Sequence, residues 1–263
     1  MTDELILLEI GNTTVKVARV GGAAAVNPDG VDGVISVDRY SDAEEALDVL
    51  ADEGREIICL PVGVEQSVQL IGRLRDRARL RVLEREDVAS FVADSYDTPE
   101  TLGLDRIVNL MGLGGDGIVI SCGTAITVDA VAGGRPFWGA IMPGFRTAAQ
   151  GLHNRIPVLP LVSFDGANGG AKPEYELPAR TSLASVANGI LLGTASAAAG
   201  LAGMLAATAF AGSIPRVVIT GGDGGLLVQL WRGVPMPELD DTLIFRGMLR
   251  EVKSQNSKVK NQE

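Results

Sequence analysis

The 263-residue sequence predicts an α/β protein of two related lobes, each opening on a β-hairpin whose glycine turn faces a shared cleft. Three observations lead there. Short apolar strands alternate with amphipathic helices through the first half, as in an α/β layer. The stretch LILLEIGNTTVKVAR, an apolar strand, a glycine turn and an alternating strand, returns in outline as GIVISCGTAITVDAV, so that Gly11 falls on Gly123. A third apolar strand, in PRVVITGGDGGLL, again ends on glycines, Gly221 and Gly222.

Glu4 to Glu9 and Thr14 to Val20 read as the first two strands, joined by the turn Gly11 to Thr13. Ser41 to Gly54 carries Ala43, Ala46, Leu47 and Leu50 at helical spacing among acids, with Ser41 or Asp42 as the cap. EIICLPVG follows as a buried strand, then a helix over Val64 to Arg77 and the short strand LRVLE. In DRIVNLMGL, Ile107, Leu110, Met111 and Leu113 share a helical face, so a helix begins near Asp105. The turn Gly114 to Gly117 then opens the second hairpin. The predicted lobes are residues 1–114 and 115–252, with 253–263 a polar, frayed tail.

Composition narrows the function. A hydrophobic fraction of 46% supports full-sized cores. A net charge of -10 without blocks of Lys or Arg argues against a nucleic-acid surface, whose affinity comes from clustered cations. Cys59 and Cys122 lie in apolar runs without CxxC spacing, which predicts a reduced cytoplasmic protein with neither disulfide nor zinc. Met1 to Glu4 are polar and acidic, unlike a secretory signal. No charge occurs from Thr181 to Pro215, a run longer than the roughly 20 residues of a membrane span. Its Ala, Gly, Ser and Thr content favours instead a buried helix at a domain or subunit interface, as one bent helix or two.

Glycine lets backbone N–H groups approach an anion, and Thr or Asn side chains add donors. One such turn is also an ordinary hairpin; two of them facing each other can clamp a triphosphate. GLGGDG has the spacing of a dinucleotide loop, but it follows a helix and precedes a strand, so no Rossmann site follows, and no Walker A loop occurs. His153, the only histidine, lacks triad partners and reads as structural or as a substrate-side contact. Phe137 and Trp138 read as packing in the second lobe, and the acids Glu44, Glu45, Asp48, Asp52 and Glu53 as a solvated helix face.

EIGNTTVK, YDTPETLGLDR, CGTAITVDAV, FWGAIMPGF, RIPVLP and ITGG together resemble the type III pantothenate kinases, from about Leu5 to Leu230. The resemblance implies two ribonuclease-H-like lobes of the actin-like ATPase kind, with mixed β-sheets around a central nucleotide cleft, and a homodimer. It implies phosphorylation of pantothenate by ATP, the first step of coenzyme A synthesis, with Mg²⁺ and a monovalent cation, K⁺ or NH4⁺. By position, Gly11, Asn12, Thr13 and Lys16 resemble the first phosphate loop, Gly123, Thr124 and Ala125 the second, and Gly221 and Gly222 the adenosine loop. Asp105 is similar to the family's general base, and Tyr96, Gly103, Arg106 and Thr181 to its pantothenate contacts. Glu9 falls at the Mg²⁺ position and Asp129 at that of the monovalent cation. Taken without the resemblance, Asp105 is an N-cap, Arg106 a surface charge and Tyr96 a partly buried loop aromatic. Glu9 and Ser121 stand where the family has Asp. A longer side chain shifts a metal that wants near-ideal octahedral geometry, and serine removes a charge. The alternative reading is therefore a weak or inactive paralogue that binds nucleotide in a regulatory or scaffold role.

Overall fold

The structure is a computed structural model that describes residues 5–21, 34–50, 56–75, 78–93, 95–164 and 175–260. Strand β1 (Leu5–Ile10) is buried along almost its whole length, as a central strand covered on both faces must be. It pairs antiparallel with β2 (Val15–Val20), placing Ile10 opposite Val15 and Glu9 opposite Lys16. β3 (Val34–Tyr40) extends the sheet antiparallel beyond β2. On the other side β1 pairs parallel with β4 (Glu56–Pro61), and β4 with β5 (Arg79–Val82). Ile6, Leu8, Ile10, Val15 and Val17 face helices α1 (Ala43–Leu50) and α2 (Val64–Leu74), whose apolar stripes close this core. Asp42 caps α1, its Oδ1 accepting the N–H groups of Glu44 and Glu45 at 3.0 Å each. The Ser41 amide and hydroxyl both donate to Glu45 Oε2. Two further helices follow, α3 (Arg85–Val92) and α4 (Leu104–Leu113).

The second sheet repeats the first strand for strand. β6 (Gly117–Cys122), β7 (Ala125–Ala132) and β8 (Arg135–Pro143) form the antiparallel side. β9 (Val217–Thr220) and β10 (Glu238–Leu239) add in parallel beyond β6. Both sheets are therefore mixed and five-stranded, ordered β3-β2-β1-β4-β5 and β10-β9-β6-β7-β8. Ile118, Ile120, Ile126 and Val128 face a core shared with α5 (Phe145–Arg155), α6 (Ser182–Ala209) and α7 (Gly224–Leu230), with Phe137 packed against it. The two hairpins differ in one respect: Cys122 pairs with Ile126, so the second turn is one residue shorter than the first.

The uncharged run is one continuous 28-residue helix, α6, capped by the Thr181 hydroxyl, which accepts the Ala184 N–H at 3.0 Å. Ile190, Leu191, Thr194, Ala195, Ala198 and Ala202 are buried, while Gly189, Gly193, Ser196, Gly200 and Gly203 are exposed. By length and composition it is the one helix among the described residues that could cross a membrane.

Two compact units result, Met1–Gly114 with Thr242–Glu263, and Gly115–Asp241. The last helix, α8 (Leu243–Lys260), differs from the expectation that residues 242–252 close the second lobe and 253–263 trail as a tail. Bare glycine backbones explain it. A Cβ on Gly112 of α4 would lie 2.1 Å from Leu243 O, and one on Gly247 of α8 would lie 1.9 Å from Val108 O. The two helices thus cross in main-chain contact.

Candidate active site

In the first unit the expected phosphate turn is built on β1. Glu9, penultimate in the strand, is only 7% exposed, and Lys16 Nζ approaches its Oε2 to 2.5 Å from the paired strand. Gly11 N donates to Thr14 O at 3.0 Å and closes the turn, leaving Asn12 and Thr13 exposed at its tip. The turn is held from behind by residues that the sequence did not single out. Ile10 O accepts the N–H groups of Val62 (2.9 Å) and Gly63 (2.7 Å), and Gln66 Nε2 donates to Asn12 O at 3.2 Å. Gly63 begins α2 so close to the turn that a Cβ would sit 2.2 Å from Gly11 O. Its signal in the sequence was a glycine just after β4, seen only as the end of a strand.

Asp105 is the second residue of α4, behind Gly103 at the N-cap. Its Oδ1 folds back to within 2.4 Å of where a Gly103 Cβ would lie, so only glycine admits this rotamer. Burial pushes the Asp105 carboxyl above the ordinary aspartate range; the Arg106 N–H opposes the rise, and the negative charge of Glu9 adds to it. The carboxylates of Glu9 and Asp105 therefore share one electrostatic environment. Arg106, read without the resemblance as a surface charge, is 6% exposed. Asn109, one turn along α4 from Asp105, is buried with its Oδ1 unbonded among the described residues. Tyr96 is half-buried in the loop between α3 and α4.

In the second unit three segments converge at the end of β6. Gly123 N donates to Ala125 O at 3.0 Å, and Thr124 and Ala125 are exposed. Gly144 N (3.0 Å) and Thr147 Oγ1 (2.6 Å) both donate to Thr124 O, and a Cβ on Gly144 would lie 1.9 Å from Gly123 O. Gly221 adopts φ +97° and rests on Cys122, whose carbonyl accepts the Asp223 N–H at 3.0 Å. Buried Asp223 pairs with Arg146 of α5. The structure thus brings Gly123, Thr124, Ala125, Gly221 and Gly222 to one strand end. It adds Gly144, Arg146, Thr147 and Asp223, which composition alone gave no reason to group.

Ser121 borders that cluster through its pairing with Thr220, and other expected residues have their own surroundings. Ser121 stands opposite Thr127, where the first sheet has Glu9 opposite Lys16, so two hydroxyls replace an ion pair. Asp129 is buried in β7 opposite a bulge of β8, where one oxygen accepts the N–H of the extra residue Gly139 at 3.1 Å. Thr181, beyond capping α6, lines a groove of about 410 Å³ with Leu159, Arg180, Ser182 and Ser185. His153 Nδ1 lies 2.8 Å from Leu159 O, a contact that holds the chain after α5.

Among the described residues no group of three or more His, Cys, Asp or Glu side chains converges as a metal cage. Mg²⁺ needs no such cage, because it is usually held through one or two carboxylates with phosphate oxygens and water. Glu9, a buried carboxylate beneath a glycine turn and in the field of Asp105, has the chemistry that fits it.

Residues 5–203 match the sequence profile of a family described as type III pantothenate kinase. The chain is 29% identical to the type III pantothenate kinase of Nitrosococcus oceani over 98% of its own length and 97% of that protein. It is 27% identical to that of Desulfovibrio desulfuricans over 95% and 97%. A match to the Halorhodospira halophila enzyme is 38% identical and spans about half of each chain, 53%. Among solved structures, a conserved protein from Campylobacter jejuni described as of the Baf family is similar with a TM-score of 0.60 and 19% identity, over 96% of this chain and 99% of that one, a likeness of fold.

Proposed function

Because the chain belongs to the type III pantothenate kinase family, we infer that it transfers the γ-phosphate of ATP to the hydroxyl of pantothenate, giving 4'-phosphopantothenate and ADP in the first step of coenzyme A synthesis. The observation that carries the chemistry is Asp105, a buried carboxylate at the start of α4 whose pKa is raised beside Glu9. Phosphoryl transfer asks a protein for positioning and electrostatics rather than covalent help. A carboxylate with a raised pKa is a stronger base than an exposed one and suits removal of the proton from the attacking alcohol.

In this reading the amides and side chains of Gly11, Asn12 and Thr13, with Lys16, hold nucleotide phosphate in the first unit. Gly123, Thr124 and Ala125 do so in the second, and Gly221 and Gly222 carry the adenosine. Glu9 is the residue that would hold Mg²⁺, directly or through water, and the ion when bound neutralises phosphate charge. Tyr96, Gly103, Arg106 and Thr181 take the pantothenate. Asp129, a buried carboxylate with one oxygen on the Gly139 amide, is assigned to the monovalent cation. The exposed small-residue side of α6 is assigned to a homodimer contact, and buried Cys59 and Cys122 suit a reducing cytoplasm. Glu9 keeps a carboxylate under the turn, so the geometry favours the active enzyme over a silent paralogue.

The test uses purified protein with ATP, Mg²⁺ and potassium. ADP release that requires pantothenate and disappears in Asp105→Asn supports the assignment; turnover indifferent to pantothenate or to that substitution contradicts it.

A further inference from the structure

The loop between α3 and α4 carries Tyr96 and leads through Gly103 into Asp105 and Arg106, yet little apolar contact holds it. Residues 97–101 are exposed, and Leu102 alone in the run 95–103 is buried. What fixes it is polar. A short 3₁₀ turn, Pro99–Thr101, is closed by Thr101 N to Thr98 O (2.9 Å) and Leu102 N to Pro99 O (3.3 Å). The Thr101 hydroxyl donates to Thr98 O at 2.8 Å. From outside the loop, Arg85 Nη1 donates to Pro99 O at 2.6 Å and to Leu102 O at 2.7 Å. A single guanidinium nitrogen thereby grips both sides of the turn, immediately before Gly103.

The position of Arg85 is unusual on electrostatic grounds. It is the first residue of α3, where the helix dipole disfavours a positive charge, and the acids Glu86 and Asp87 of the same turn are what that end prefers. Local helix energetics therefore do not account for an arginine here, whereas its two carbonyl partners do. Charge-assisted hydrogen bonds of this kind are about twice as strong as neutral ones.

We propose that Arg85 is a positioning residue for the acceptor substrate: it clamps the 96–103 loop so that Tyr96 and Gly103 meet pantothenate. The proposal rests on the kinase reading above. Asp105 belongs to α4, which is fixed independently by its main-chain contact with α8. Loss of the clamp therefore loosens the substrate loop while leaving the base in place and the Gly11 turn untouched. The expected signature is a split in the kinetic constants. In Arg85→Met the KM for pantothenate rises about tenfold to a hundredfold, the range that loss of charged hydrogen bonds produces. The KM for ATP stays within about twofold, and kcat at saturating pantothenate falls much less than kcat/KM. Arg85→Lys, which keeps a cation able to reach one carbonyl, recovers part of the loss.

A second measurement needs no activity. Amide hydrogen exchange in residues 95–103 should accelerate in Arg85→Met and in part in Arg85→Lys, with α4 and β1 unchanged. A pantothenate KM unaltered in both variants, or exchange in 95–103 equal to that of the parent protein, overturns the proposal. A parent protein that turns over no pantothenate overturns the functional reading instead, and the exchange result still decides the clamp. Should Arg85→Met fold poorly, Arg85→Lys carries both readouts.

Discussion

Replacing Gly63 by alanine perturbs the first phosphate turn from behind without substituting any residue assigned to substrate. The new Cβ would lie 2.2 Å from Gly11 O, 2.7 Å from Gly11 C and 3.0 Å from Asn12 Cα. All three are backbone atoms, so no side chain can swing aside. Even to reach 3.0 Å, a distance that real Cβ atoms rarely undercut, the turn and the start of α2 must part by about 0.8 Å. That separation also stretches the paired bonds from Val62 N and Gly63 N to Ile10 O. A misplacement near 1 Å costs about a hundredfold in rate when the displaced groups orient a reacting phosphate, and overpacking of this kind costs about 1–3 kcal/mol of stability. Gly63→Ala is therefore expected to lower kcat/KM for ATP by about two orders of magnitude. Gly72→Ala, in the same helix with nothing within 4 Å of the new Cβ, serves as the control; it should leave kinetics alone and stabilise by about 0.5–1 kcal/mol. Steady-state kinetics on both variants, with thermal melts to confirm folding, decide the matter. A folded Gly63→Ala enzyme with parental ATP kinetics would refute the assignment of the Gly11 turn to nucleotide phosphate.

Asp105→Asn should abolish transfer yet stabilise the protein. A carboxyl whose folded pKa is raised contributes stability at low pH and loses it as pH climbs from the ordinary aspartate value, about 4, through the folded one. The variant's melting temperature should therefore exceed the parent's at neutral pH and converge on it in acid. A base acts in its ionised form, so the proposed role of Asp105 predicts that the parent's kcat/KM falls with acid at a pH above the usual aspartate range. Glu9→Gln removes a charge that helps raise the Asp105 pKa, so that acid limb should move to lower pH even as the maximal rate drops; a pH–rate profile reads both effects. Asp223→Asn breaks the pair with Arg146 beside the Gly221–Gly222 turn and should raise the KM for ATP but not for pantothenate, measurable by varying each substrate in turn. Burial pushes the Cys59 thiol up to about 12 and raises that of Cys122. A thiol reagent should thus label neither in the native protein and both after unfolding.

How far the sequence alone reaches follows from which contacts are local. The first hairpin was expected at Glu4 to Glu9 and Thr14 to Val20 and lies at Leu5–Ile10 and Val15–Val20, because apolar alternation and a glycine turn are signals within one short stretch. The helix that ends at Leu50 was legible from spacing and its Asp42 cap. The one that carries Asp105 was legible from spacing alone, since Asp105, read without the resemblance as an N-cap, is the second helical residue behind an N-cap glycine, Gly103. β3 and α3 were not. One is an edge strand of mixed polarity, and the other has only Val88 and Val92 buried. Ownership of α8 could not be read at all, since what holds it is Gly112 and Gly247 meeting carbonyls of a partner helix more than a hundred residues away. The same holds for the site. Gly11 and Gly123 announce themselves by repetition, whereas Gly63, Gly144 and Asp223 act through main-chain approaches that only the assembled strand ends create. The resemblance supplied the role of Asp105; its burial next to Glu9 became visible only in three dimensions.

The most direct test of the central claim is identification of the phosphorylated product by mass spectrometry after incubation with ATP, Mg²⁺, potassium and pantothenate. The account predicts one 4'-phosphopantothenate formed for each ADP, with none in Asp105→Asn. Accumulation of ADP and inorganic phosphate with pantothenate left unmodified would contradict it.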